Sequence, residues 1–177
     1  MARSPRSVPR STRRPSQPEP DPHDVPTMSI GEVAVRLNVS VQAVRLYEQR
    51  GLILVRKGPG GQRQYSESDV ERLTCIREAI TGHKISIEGI RRLQSLIPCW
   101  ETVRCPMPDR LACPAYKKAE AGCWTHEDRD DICRHADCRR CEVYLLSARC
   151  DTIKYLIHRL PVPHAIPRRP PHKELQA

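Results

Sequence analysis

From Ser29 onward the chain sets polar caps in front of apolar residues at helical spacing. Ser29 followed three residues on by Glu32 is a capping box, and Ile30, Val33, Ala34 and Leu37 then share one face, which predicts a helix from about Ile30 to Leu37. Asn38-Val39-Ser40 supplies a turn and a new N-cap at Ser40, and Val41, Val44 and Tyr47 or Leu46 carry the period on toward Gly51. Two short helices joined by a tight turn make a helix-turn-helix, whose second member can lie in the major groove. The apolar run Leu52 to Val55, the turn Gly58-Pro59-Gly60-Gly61 and a returning stretch Gln62 to Tyr65 predict a small β-hairpin wing. Arg56, Lys57 and Arg63 sit near its glycine-rich tip, where backbone and guanidinium can approach phosphates without crowding. A third helix starts at Ser66 with Asp69 behind it and runs through Val70, Leu73, Ile76 and Ile80. Cys75 lies among those residues and reads as a small core side chain. A fourth starts at Ser86 with Glu88 in its first turn, carries Ile87, Ile90, Leu93 and Leu96, and stops before Pro98.

Beyond Pro98 this regularity breaks. Residues 29 to 98 hold one cysteine, whereas residues 99 to 150 hold the other eight: Cys99, Cys105, Cys113, Cys123, Cys133, Cys138, Cys141 and Cys150. The arrangement is duplicated. Cys99-Trp100 and Cys123-Trp124 lie 24 apart, Cys105 and Cys133 lie 28 apart, and Cys113-Pro114-Ala115-Tyr116 matches Cys141-Glu142-Val143-Tyr144 at 28. From Glu142 to Leu160 a period returns: Val143, Leu146, Cys150, Ile153, Ile157 and Leu160 are spaced 3, 4, 3, 4, 3, the seam of a paired dimerisation helix near 28 Å long at roughly 1.5 Å per residue. The same stripe would also serve a helix packing on its own subunit.

The fold expected is therefore mainly α, a winged helix-turn-helix with a small hairpin wing over 28–98, then an irregular cysteine-rich module over 99–141 and a dimerisation helix over 142–160. Residues 1–27, with seven prolines and almost nothing apolar, read as a disordered leader, and the proline-broken stretch 161–177 as a disordered tail. Met28 is an alternative start to Met1.

Charge changes the picture next. Lys plus Arg number 30 against 21 Asp plus Glu, a net charge of +9, so a polyanion is the expected partner and nucleic acid heads the list. No stretch reaches the roughly 18 to 20 apolar residues of a membrane span. The basic N-terminus lacks the apolar region of a secretory signal, so the expectation is a cytoplasmic protein without a membrane partner. No acid–base pair, phosphate loop or nucleophile triad marks an enzyme.

The run Ser29-Ile30-Gly31-Glu32-Val33-Ala34, then Val39-Ser40 leading to Val44-Arg45-Leu46-Tyr47-Glu48 and Gly51-Leu52, then Arg63-Gln64-Tyr65-Ser66 with Asp69, resembles the DNA-binding domain of MerR-type transcriptional regulators. The resemblance covers about 28 to 97. It implies a homodimer on a pseudo-palindromic double-stranded operator at a promoter, with RNA polymerase as a further partner. By the same resemblance Arg45 and Tyr47 on the second helix, and Arg63 and Tyr65 on the wing, contact DNA. Val41 and Gln42, at that helix's N-terminal end, are candidates for base edges on geometry, and Arg56 joins the wing contacts. Such regulators continue into a long dimerisation helix directly after the fourth helix, whereas here Pro98 and the cysteines intervene. Residues of about 98 to 145 resemble small bacterial modules carrying two Cys-Trp motifs, a resemblance that locates the module without assigning a mechanism.

In a reducing compartment, close thiols stay reduced unless they hold metal or sense redox state. Cys99, Cys105, Cys113, Cys123, Cys133, Cys138 and Cys141 are the metal-ligand candidates, for an iron-sulfur cluster or for Zn²⁺ in a four-sulfur site, with a disulfide framework as the remaining option. Cys138-x2-Cys141 can chelate as a pair. His126 and His135 could substitute but read as solvated side chains, and Trp100 and Trp124 as apolar packing around the site. The expected function is a DNA-binding regulator whose cysteine module senses metal or redox state. The alternative is a constitutive regulator whose zinc-bound module is structural and docks a protein partner. A tethered thiol oxidoreductase fits less well, because no Cys-x-x-Cys stands between a strand and a helix.

Overall fold

The computed structural model describes residues 22–103, 105–118, 120–129 and 131–147. Helix α1 (Ile30–Leu37) begins at Ser29, whose hydroxyl accepts from the Glu32 N–H while the Glu32 carboxylate accepts from the Ser29 N–H, so the capping box read from sequence forms. The carboxylate is held below its ordinary range by the Ser29 backbone bond. Asn38 ends the helix in the left-handed region at φ 50°, and Ser40 caps α2 (Val41–Gln49) through the Ala43 N–H at 3.1 Å.

The wing is shorter than its sequence suggests. Strands β1 (Arg56–Lys57) and β2 (Arg63–Gln64) pair antiparallel, Arg56 opposite Gln64 and Lys57 opposite Arg63. Gly61, at φ +76°, makes the turn at the tip, where a side chain would be strained. The run Leu52 to Val55 lies outside the ladder because Leu52 and Ile53 plug the core instead. Helix α3 (Glu67–Thr81) opens on a second capping box between Ser66 and Asp69, and α4 (Ile87–Ser95) opens on Ser86.

Val33, Ala34 and Leu37 of α1, Val44 and Tyr47 of α2, Leu52, Ile53, Tyr65, and Val70, Leu73, Ile76 and Ile90 of α3 and α4 form one core. Two expectations change here. Tyr65 is wholly buried, its hydroxyl included, so it anchors the helix-turn-helix from within and is not a surface contact for DNA, and the Tyr47 ring, only 7% exposed, packs in the same core. The boundary at Met28 also moves, since a 3₁₀ turn at Pro22–Asp24 lies on α3 and the Thr27 and Met28 N–H groups both donate to the Tyr65 carbonyl at 3.0 Å. Cys75, expected as a plain core thiol, is half-buried and disulfide-bonded.

Burial pushes the Tyr65 phenol up to about 12, with the Glu48 carboxylate adding to the rise. A folded pKa above the unfolded value near 10 keeps its stabilisation below pH 10 and loses it as pH climbs toward 12. Melts between these values should lose about 2 kcal/mol through this group. Tyr65→Phe should flatten that part of the slope without lowering stability at pH 7, because the buried hydroxyl finds no hydrogen-bond partner among the described residues. An unchanged slope in the variant refutes the assignment.

After Ile97 the chain makes short helices: α5 (Cys99–Thr102), α6 (Met107–Ala112), α7 (Pro114–Lys117), α8 (Asp131–Arg134) and α9 (Glu142–Leu146), with 3₁₀ turns at Cys123–Thr125 and Cys138–Arg140. Proline at the N-termini of α6 and α7 and the short spacing between cysteines keep each to a turn or so. A second core holds them together, made of Ile97, Trp124, Val143 and Tyr144, with Leu54 of the first module packed against it. Val143, expected on an intermolecular seam, is therefore spent inside its own subunit. Leu146 is half-buried at the end of α9, and the remaining seam positions Cys150, Ile153, Ile157 and Leu160 lie outside the described residues. Among the described residues no helix is long and apolar enough to cross a membrane.

Candidate nucleic-acid interface and cysteine cluster

Helix α2 is two-faced. Val44 and Tyr47 point into the core and Val41 packs half-buried at its edge, which leaves Gln42, Arg45 and Gln49, at i, i+3 and i+7, exposed along the opposite face. Gln42, at the N-terminal end of the helix where a groove-reading side chain is needed, and Arg45, at its middle, are thus both outside the core. On the wing Lys57 is exposed and Arg56 half-exposed, the latter with its guanidinium 4.0 Å from the Asp137 carboxylate. Arg63 is engaged within the protein: its Nε donates to Glu48 at 2.5 Å, tying β2 to α2, and that bond raises its pKa. Val41 and Arg63 are accordingly less available than their sequence positions suggested.

The cysteine module realises its duplication in three dimensions. Trp100 meets Tyr116 edge to face at 5.0 Å, and Trp124 meets Tyr144 in the same way at 5.1 Å, so each Cys-Trp pairs with the tyrosine of its own copy. The equivalent cysteines of the two copies also meet. The Cys123 thiol hydrogen-bonds Cys99, which brings Cys99 down to about 7, helped by N–H groups at the start of α5 and opposed by burial. The same bond, followed by burial, drives Cys123 upward.

Cys133 is pushed up to about 12 by burial and then by the charges of Cys141 and Cys99. Burial likewise raises Cys141. Cys138 and Cys141 pack on the second core beside Cys99 and Cys123, and the Arg129 guanidinium donates to the Cys138 sulfur at 2.5 Å. Of the seven candidates, then, the fold gathers Cys99, Cys123, Cys133, Cys138 and Cys141. Cys105, buried, neighbours Cys133, and Cys113 is the half-buried N-cap residue of α7. All seven are free thiols. As they stand, no three His, Cys, Asp or Glu side chains among the described residues are close enough together to hold an ion.

Sequence reasoning missed the seam between the two modules. One guanidinium nitrogen of Arg139 donates to both oxygens of the Asp69 carboxylate at 2.8 Å, and another donates to the Leu54 carbonyl. The Trp124 indole N–H donates to the Gly51 carbonyl at 2.8 Å, and the Leu54 N–H donates to the Tyr144 hydroxyl at 2.8 Å. Arg72 lies 3.6 Å over the Tyr144 ring, donates to the Tyr144 carbonyl and reaches the Ser147 hydroxyl at 2.9 Å. No periodicity marks such pairs, since they join positions 70 or more apart.

A four-helix core with a helix-turn-helix and a hairpin wing, the exposed face of its second helix polar and basic, defines a winged helix-turn-helix domain of the DNA-binding class. Residues 28–96 match the MerR HTH family regulatory protein, so this segment is similar to the DNA-binding domains of that family. The chain is 35% identical over 69 residues to the HTH-type transcriptional regulator HmrR of Rhizobium leguminosarum, covering 39% of this chain and 53% of the relative. It is 39% identical over 70 residues to the HTH-type transcriptional regulator ZntR homolog of Haemophilus influenzae, covering 39% and 51%. It is 44% identical over 53 residues to the HTH-type transcriptional regulator TnrA of Bacillus subtilis, covering 30% and 48%. The chain thus spans about half the length of the curated relatives it matches. No solved structure matches significantly.

Proposed function

We propose that the protein is a sequence-specific transcription regulator that reads double-stranded DNA through α2 and grips phosphates with the wing. The carrying observation is the polar face of α2, with Gln42 and Arg45 exposed, in a segment that also carries the basic Arg56–Lys57 strand and matches the MerR HTH family. In this reading it works in the cytoplasm, without catalysis, as a homodimer on a pseudo-palindromic operator, with RNA polymerase as the neighbouring machine. Selection from random-sequence duplexes with the full chain should enrich an inverted repeat. Recovery of an unenriched pool overturns the reading.

The thiol cluster is the element suited to a signal. Its donors are soft and partly buried, and a thiolate-seeking iron-sulfur cluster or Zn²⁺ matches that chemistry. Cys99, Cys123, Cys133 and Cys141 would supply the ligands, with Arg129 on Cys138 offsetting their negative charge. The bound group would supply redox activity or a fixed tetrahedral tie, and the thiols would have to draw closer to hold it. A second reading, structural zinc in a docking module, is favoured by the thiols' place in the second core. Anaerobic purification with elemental analysis separates the two. Iron, acid-labile sulfide and a broad band at roughly 400 nm support sensing. Stoichiometric zinc, with DNA binding of the full chain unaltered by added metal or oxidant, supports the scaffold and refutes sensing.

A further inference from the structure

The chain between α2 and the wing has few partners of its own. Gly51 to Val55 is the covalent link from the end of the recognition helix to β1, and its side chains Leu52 and Ile53 are fixed in the first core. The Gly51 and Leu52 N–H groups donate back to the Glu48 and Tyr47 carbonyls of α2, whereas three further backbone polar groups are taken up by the cysteine module. The Gly51 carbonyl accepts from Trp124, the Leu54 N–H donates to Tyr144, and the Leu54 carbonyl accepts from Arg139. These three side chains do for the link what a neighbouring strand would do for a sheet. The approach is close: Gly51 sits at φ +70°, and a Cβ there would lie 2.5 Å from a Thr125 methyl. Asp137, next to Cys138, faces Arg56 of the wing itself.

Each gripping residue is joined to a clustered thiol along the chain. Trp124 follows Cys123, Arg139 follows Cys138 in the same 3₁₀ turn, and Tyr144 stands three residues after Cys141, the N-cap of α9. Arg139 also ties the turn to Asp69 at the start of α3.

We infer that Trp124, Arg139 and Tyr144 are positioning residues for DNA binding: they clamp the Gly51–Leu54 link and thereby set where the wing stands relative to α2. The inference rests on the DNA-reading function proposed above and adds to it a route by which the thiol cluster reaches the DNA. Helix α2 is anchored independently by Val44 and Tyr47, so the clamp governs the wing's grip on phosphate and leaves base reading intact. Phosphate contacts set affinity and its salt dependence, whereas base contacts set sequence preference.

The test uses the full chain and the duplex that the wild type enriches from a random pool. Trp124→Phe/Tyr144→Phe removes one donor and one acceptor and keeps an aromatic ring at both positions. It should bind the selected duplex and a scrambled one roughly tenfold more weakly, so their ratio is preserved, and the slope of log K against log salt should shrink by about one for each phosphate that the wing no longer reaches. The Leu54 amide should exchange faster with solvent. A merely structural role would leave the salt slope unmoved in the folded variant. An unchanged affinity and slope, or a collapse of the ratio between the duplexes, overturns the clamp while leaving DNA reading in place. A wild type that enriches no sequence overturns the reading itself and the clamp with it. Should the double variant not fold, Tyr144→Phe alone removes one oxygen and is held to the same outcomes.

Discussion

Asp69→Ala lowers the unfolding free energy of the full chain by about 3–5 kcal/mol, the largest stability effect expected of any single polar change in it. Asp69 does two jobs at once. One is local: its carboxylate accepts from the Ser66 N–H at 2.9 Å and closes the capping box of α3, worth about 1 kcal/mol. The other is long-range, because the same carboxylate faces the Arg139 guanidinium in a pair whose side chains are only 3% and 11% exposed. Alanine leaves that guanidinium largely buried without its counter-charge, near the more deeply buried Arg72, and the cost of an uncompensated charge exceeds what the intact pair contributes over apolar packing. The control is therefore the double replacement. Asp69→Leu/Arg139→Met should recover most of the loss, since neither charge is then stranded. Urea melts with a shared m-value measure both. A loss under about 1 kcal/mol for Asp69→Ala would mean that the pair is solvated and that the cysteine module does not sit on α3.

That pair also illustrates what was legible in the sequence. Helix starts were, because a cap is a local device: Ser29 with Glu32, Ser40, Ser66 with Asp69, and Ser86 each hydrogen-bond within three residues. The strand reading was only half right. Leu52 to Val55 has the composition of a strand, but tertiary packing claims Leu52 and Ile53 for one core and Leu54 for the other, and the ladder falls on the charged residues that follow. Tyr47 and Tyr65 are ambiguous for a related reason. A tyrosine in a DNA-binding motif serves equally as a surface contact or as a core ring, and only the packing of α1 and α3 against them decides. In the cysteine module the duplication put one Trp and one Tyr in each copy, but that the two rings pair edge to face came only from the fold. The duplication gave no sign that Cys99 and Cys123 would meet, because short irregular helices carry no period from which to infer direction. The heptad-like spacing at Val143 and Leu146 shows the same limit: a 3–4 stripe reports an apolar face, not whose apolar surface covers it.

Gln42→Ala/Arg45→Ala should abolish most sequence preference while leaving the fold untouched. Each side chain is exposed on α2 and contributes nothing to either core, so thermal melts should move by no more than surface substitutions ordinarily do, about 0.5 kcal/mol. In a major groove, a glutamine can meet adenine and an arginine can meet guanine through paired hydrogen bonds, and losing one such pair costs roughly 10- to 100-fold in discrimination. The two together should bring binding of an enriched duplex close to that of a scrambled one. Lys57→Ala provides the contrast. A wing cation paired with phosphate strengthens binding to all duplexes alike, so its removal weakens them alike and reduces the salt slope by about 0.9, and the ratio of selected to scrambled binding survives. Competition titrations at two salt concentrations distinguish these patterns. If the α2 variant kept the full ratio and Lys57→Ala lost it, sequence would be read by the wing, and the assignment of α2 as the recognition helix would fall.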